Sequence, residues 1–139
     1  MKLLRNLTAI LFIGLLMVSC AQTQLAYYDP QTHKDLSYLI PQVQDLYDSY
    51  TTENINTSLY NNIDLSLRKL ISYEKSKKYN ENTIAQLELL YKMIKRHYDE
   101  RMIQETPWSL IHKTNKLRNT KTAMNLIVDT ELLKNKRGN

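Results

Sequence analysis

Between Cys20 and Gly138 the chain contains no glycine and only three prolines, Pro30, Pro41 and Pro107. Tight hairpins, barrel corners and glycine-built phosphate loops need backbone at positive φ, which glycine supplies with the least steric strain. A chain without it is directed toward helices joined by short polar turns. The apolar residues are spaced accordingly. Leu36, Leu39, Ile40, Val43, Leu46, Tyr47 and Tyr50 fall on one helical face, with Pro41 expected to kink that helix or to mark its start. Leu59, Ile63, Leu67, Leu70 and Ile71 form a second stripe that only Glu74 interrupts, with Asn56, Thr57 or Ser58 as N-cap. The clearest stripe is Ile84, Leu87, Leu90, Tyr91, Ile94, Tyr98 and Met102, behind a capping box formed by Thr83 and Gln86. Thr106 and Pro107 read as N-cap and first residue of a fourth helix, whose weaker stripe is Leu117, Lys121, Met124, Val128 and Leu132. Poor helix formers around Asn119 are expected to break or fray it.

Stripes of this kind bury themselves only against one another. The expected fold is therefore all-α, an antiparallel three- or four-helix bundle occupying residues 35–139 as one domain. An extended α-hairpin that completes its core by dimerising is the alternative.

The first twenty residues follow different rules. Lys2 and Arg5 precede LTAILFIGLLMV, an apolar run too short to cross a bilayer comfortably as a helix, which takes about 20 residues. It fits the core of a signal peptide, residues 1–19. Directly after it come Met17, Val18, Ser19 and Cys20, the only cysteine in the chain. This stretch resembles the lipobox of bacterial lipoproteins, although Met17 stands where that family carries leucine. The resemblance implies cleavage before Cys20, diacylglycerol on its thiol and a further acyl chain, such as palmitate, on the new amino terminus. The absence of aspartate at position 21 implies, by the same resemblance, an outer-membrane address facing the periplasm. Ordinary cleavage after Ala21, using Ser19 and Ala21 as small flanking residues, is the alternative. A lone cysteine makes no internal disulfide, so lipidation explains its position better than redox or nucleophilic chemistry. Residues 20–34 then read as a polar tether.

Charge is uneven along the chain. Residues 106–139 hold seven basic side chains against Asp129 and Glu131, a net of +5, whereas residues 21–105 hold ten basic against twelve acidic, a net of −2. A basic end on an acidic body suits anionic lipid, cell-wall polymer or an acidic partner, with Lys134, Lys136 and Arg137 as candidate contacts. Cations near a helix C-terminus also favour the helix dipole without any ligand. Nucleic acid is not expected as a partner of an exported chain.

Catalytic motifs are sparse. His33, His97 and His112 have no histidine at i+4 and no Glu-x-x-His pairing, so neither a metal site nor a cofactor beyond the lipid on Cys20 is expected, and the histidines are read as exposed or interfacial. Ser72 and Lys75 match Ser-x-x-Lys by spacing but lack its companion motifs. Lys95 with Asp99 and Arg96 with Glu100 read as i, i+4 ion pairs on an exposed face. Ten tyrosines stand against one phenylalanine and one tryptophan. Tyr47, Tyr91 and Tyr98 fit core-edge positions, whereas Tyr27, Tyr28, Tyr38 and Tyr60 fall off the stripes, where exposed rings suit protein or glycan binding.

The resulting expectation is a small envelope lipoprotein without enzymatic activity, which binds another envelope protein or cell-wall polymer as an assembly, stabilising or inhibitory factor. The alternative is a ligand carrier or weak hydrolase with a pocket between helices lined by Tyr91, Tyr98, Trp108 and His112. Acyl chains bind bilayers with roughly 0.8 kcal/mol per buried methylene. The Cys20→Ser variant should therefore move from the detergent phase to the aqueous phase on phase separation, and its intact mass should lack the acyl groups of the wild type.

Overall fold

The computed structural model describes the backbone of residues 28–137 and the side chains of residues 28–134. Four helices account for nearly all of it: α1 (Pro30–Ser49), α2 (Thr57–Lys75), α3 (Glu81–Ile103) and α4 (Leu110–Arg137). Cys20 and the signal segment lie outside the described residues, as do the side chains of Lys136 and Arg137. Among the described residues no helix is long and apolar enough to cross a membrane.

Helix boundaries follow local chemistry, with several departures from expectation. α1 begins at Pro30, inside the segment read as tether, because Asp29 accepts a hydrogen bond from the Gln31 amide (2.8 Å) while Pro30 occupies the first turn. It runs through Pro41 without ending. That proline sits on the exposed side, where water reaches the carbonyl its ring leaves unbonded. α2 is capped by Asn56, whose side chain accepts from the Leu59 amide (3.0 Å). The turn after α2 uses Tyr79 at φ 59°, a left-handed position filled by a non-glycine residue in a segment that has no glycine to offer.

The capping box expected at Thr83 does not form. α3 starts earlier, at Glu81, and Thr83 is buried with its hydroxyl turned toward α4. Thr106 and Pro107 likewise lie in the loop before α4. There the Trp108 amide donates to the Tyr50 carbonyl (2.9 Å), and the Ser109 hydroxyl caps the His112 amide (3.2 Å). α4 then continues unbroken past Asn119. Its buried line is Thr120, Met124, Ile127, Glu131 and Lys134, which shares only Met124 with the expected one, and Leu132 is exposed. Leu117 and Val128 pack at its edge.

Each helix packs on two neighbours, α1 on α2 and α4, α3 on α2 and α4. Cross-links fix all four pairs as antiparallel. Thr32 meets Glu74 and Asp29 meets Tyr73; Tyr60 meets Tyr98 and Lys75 meets Glu88; Thr83 meets Glu131 and Lys116 meets Glu100; Asp48 meets Lys113 and Gln44 meets Lys121. The fold is an up-down-up-down four-helix bundle, all-α as expected. Its longest helix, α4, has 28 residues and spans about 42 Å. Leu36, Val43, Leu46, Ile63, Leu67, Leu87, Leu90, Ile94, Met124 and Ile127 form the apolar centre.

One pole of the bundle, holding the start of α1 and the end of α4, is sealed by buried polar groups. Glu74 accepts from Thr32, from Lys77 (2.6 Å) and from the Asn80 side-chain amide. Asn80 in turn accepts from Lys134 (2.7 Å), which also donates to Thr83 (2.8 Å) and Glu131. Lys77 reaches on to Asp29 (2.7 Å). Partial burial opposes ionisation of Asp29, but hydrogen bonds from Lys77, Tyr73 and Gln31 outweigh it and hold its pKa down to about 2. Glu74 is thus the interruption in the second stripe because it is the acceptor that gathers α1, α2 and the α2–α3 turn.

A buried charge loses its water on folding, so removing one partner leaves the others unsatisfied. Glu74→Ala should lower stability by about 3–5 kcal/mol in urea denaturation. Lys95→Ala, which removes the exposed pair with Asp99 (2.7 Å), should change it by less than about 1 kcal/mol.

Candidate functional site

Toward the opposite pole the core becomes aromatic. Tyr47 and Tyr50 from the end of α1, His97 from α3 and Trp108 from the α3–α4 loop pack edge to face, with ring centroids 5.0 to 6.3 Å apart. The Tyr47 hydroxyl lies 2.6 Å from His97 Nδ1 and 2.9 Å from the Thr120 hydroxyl, which joins α1, α3 and α4. Burial pushes the Tyr47 phenol up and the His97 imidazole down, to about 4, with nearby Lys116 adding to the latter. Beside them, buried Arg101 donates to the carbonyls of Tyr50 (2.9 Å), Thr52 (2.7 Å) and Gln104 (3.2 Å) and pins the two loops of this pole together. These groups are closed to solvent, so their protons serve the core.

His97 therefore corrects the expectation of an exposed or interfacial histidine. Tyr47 is fully buried, and Tyr60 is buried too, its ring stacked on that of Tyr98 (3.5 Å between centroids). Tyr91, Tyr98, Trp108 and His112 do not gather around one pocket. Trp108 is buried with His112 packed on its edge (4.5 Å), Tyr98 stacks on Tyr60, and Tyr91 lines a shallow groove with Arg68, Ile71, Glu88 and Lys92. The reason is angular: the first two residues lie on the α2 side of α3, the second two on the far loop and α4.

Lys134 is also corrected. It is buried in the sealed pole, held by Asn80, Thr83 and Glu131, and so does not face an anionic surface. Other bases of the C-terminal segment are engaged internally: Lys113 with Asp48 (2.7 Å), Lys116 with Glu100 (2.7 Å) and Lys121 with Gln44. Lys75 of the Ser72–Lys75 spacing is paired to Glu88 (2.7 Å). Lys95–Asp99 and Arg96–Glu100 form as i, i+4 pairs. Among the described residues no group of three or more His, Cys, Asp or Glu side chains converges.

Two exposed features remain. At the aromatic pole Met102, Ile103, Leu110 and Ile111 stand in solvent, Ile103 at 84% and Ile111 at 76% exposure. Between α1 and α2, nearer the sealed pole, runs a groove of about 350 Å³ with Leu39 and Leu70 in its lining and Tyr38 and Tyr73 at its sides. Sequence reasoning registered Tyr38 as off the stripe, but not the groove. No protein-family model, curated protein or solved structure matches the chain.

The imidazole of His97 generates a pH dependence of known sign. An unfolded histidine titrates near 6.5 and the folded one near 4, so between these values the unfolded chain binds the extra proton. The stabilisation is complete above pH 6.5 and is lost as pH falls through this window, by on the order of 3 kcal/mol. Denaturation of the wild type and of His97→Gln across that range should show a steeper acid loss for the wild type.

Proposed function

We propose that this chain is a lipid-anchored, non-catalytic docking protein of a bacterial cell envelope, held to a membrane through Cys20 and presenting its aromatic pole to an apolar surface on another envelope protein. The observation that carries this reading is the polarity of the bundle. α1 starts at Pro30, at the sealed pole, and the ten residues back to Cys20 reach about 30–35 Å when extended. An anchor there turns the sealed pole, where Tyr79, Leu132 and Leu133 are also exposed, toward the membrane and leaves Met102, Ile103, Leu110 and Ile111 at the far end. Ile103, Ile111, Leu110 and Met102 together offer on the order of several hundred Å² of apolar surface, the scale at which exposed patches mark interaction sites. That is below the roughly 800 Å² per partner of a stable interface, so the contact needs surrounding polar residues to complete it. Lys92, Lys95, Arg96, Asp99 and Glu100 line a shallow groove with Ile103 and supply such a rim.

The absence of a shared pocket for Tyr91, Tyr98, Trp108 and His112 weighs against the carrier or hydrolase alternative built on those four. Cross-linking in intact cells tests the docking reading. Ile103→Asp combined with Ile111→Asp should reduce the yield of the captured partner about tenfold or more while leaving thermal stability and membrane association unchanged, since both side chains are exposed. Equal capture by the double variant would overturn the assignment of this pole.

A further inference from the structure

The α1–α2 groove is the second exposed feature, and its chemistry differs from that of the apolar pole. Its volume of about 350 Å³ lies at the lower end of the range of small-ligand sites and matches that of the two shallow grooves along α3, so its lining and not its size sets it apart. Leu39 and Leu70 are buried core residues, so the base of the groove is rigid and apolar. Tyr38, 72% exposed, and Tyr73, 43% exposed, stand along it on opposite helices. Bundle packing accounts for neither ring.

Tyr73 is held in place nonetheless. Its hydroxyl donates to Asp29 (2.6 Å), and the Lys77 ammonium sits over its ring, 4.2 Å from the centroid. The polar lining is nearly neutral in sum. Gln31 donates to Asp35 (2.6 Å), Ser66 adds a hydroxyl, and Lys69 adds one ammonium that makes no ion pair among the described residues.

One carboxylate and one ammonium cancel, so the lining selects neither a phosphate nor a cation. What it matches is a neutral ligand with an apolar face and hydroxyls at its edge. A pyranose has this form: its C–H face lies on aromatic rings, and its hydroxyls pair with carboxylate, amide and ammonium groups. We infer that the α1–α2 groove is a saccharide-binding site, with Tyr38 and Tyr73 as ring platforms and Gln31, Asp35 and Lys69 as hydroxyl partners. This site stands apart from the docking pole and does not depend on it.

The test is titration of the full chain with a neutral glucose oligosaccharide and, separately, an N-acetylglucosamine oligosaccharide, followed by NMR of the tyrosine ring and leucine methyl resonances. Saturable shifts at Tyr38, Tyr73, Leu39 and Leu70 with at least one of the two are expected. Tyr38→Ala should weaken that binding roughly three- to tenfold, the measure of one aromatic contact, without altering thermal stability. Leu89→Ala, an exposed change on α3, should leave binding unaltered. No saturable shift with either sugar, an affinity indifferent to Tyr38→Ala, or occupation of the groove only by an amphipathic peptide would each overturn the inference.

Discussion

The Glu74–Asn80–Lys134–Glu131 network is the constraint on which the rest of the bundle depends. Apolar side chains attract one another without direction, and four amphipathic helices of similar length could slide by a turn and still bury most of their leucines. Buried ions forbid that freedom. Glu74 has to meet Thr32, Lys77 and Asn80, and Lys134 has to meet Asn80, Thr83 and Glu131, or charges are left dry and unpaired. Because the partners come from all four helices and the α2–α3 turn, one arrangement sets the register of every helix at that pole. At the other pole the Tyr47–His97–Thr120 contacts and the three carbonyl bonds of Arg101 do the same with less charge.

Such a device suits a chain that cannot use glycine to make its turns. The α2–α3 turn places Tyr79 in the left-handed region, which costs a non-glycine residue roughly 1–2 kcal/mol. Asn80, the next residue, is the hub of the buried network. The strained residue and the residue that holds the turn closed are therefore adjacent, and the network's pairing offsets the strain locally.

The helices themselves were legible because period and capping are local properties. Leu36 to Tyr50, Leu59 to Ile71 and Leu87 to Ile94 announce their buried faces within a few turns, and Asn56 caps as its type suggests. What the sequence withholds is pairing over distance. Glu74, His97, Arg101, Glu131 and Lys134 look like surface residues until partners from other helices are supplied, and Thr32 lies 42 positions from Glu74. The α4 stripe misled for a related reason. Its true seam, Thr120, Met124, Ile127, Glu131 and Lys134, repeats at four and three, but three of its five members are polar, while Leu126, Leu132 and Leu133 stand outside it. Local rules also compete. Asp29–Pro30 and Thr106–Pro107 carry the same start signal, yet only the first begins a helix, because burying Trp108 and bonding its amide to Tyr50 keeps the second stretch in a loop.

The exposed groove inherits its shape from the buried network. Asp29 and Lys77, which fix the Tyr73 ring, are also the outer members of the chain of charges that ends on Glu74. Gln31, in the first turn of α1, is bonded through its backbone amide to Asp29 and through its side chain to Asp35. Tyr73 on the α2 side and Gln31 on the α1 side are thus placed by contacts with the ion pairs of the sealed pole, while the backbone of Tyr38, also on α1, is fixed by Leu36 and Leu39 in the core. A ligand lying between the two tyrosines would find the Tyr73 ring already held by Asp29 and Lys77, so little conformational entropy would be lost on that side. The pairing that prevents the helices from sliding thus also fixes the Tyr73 ring and the backbones of the two helices that form the groove.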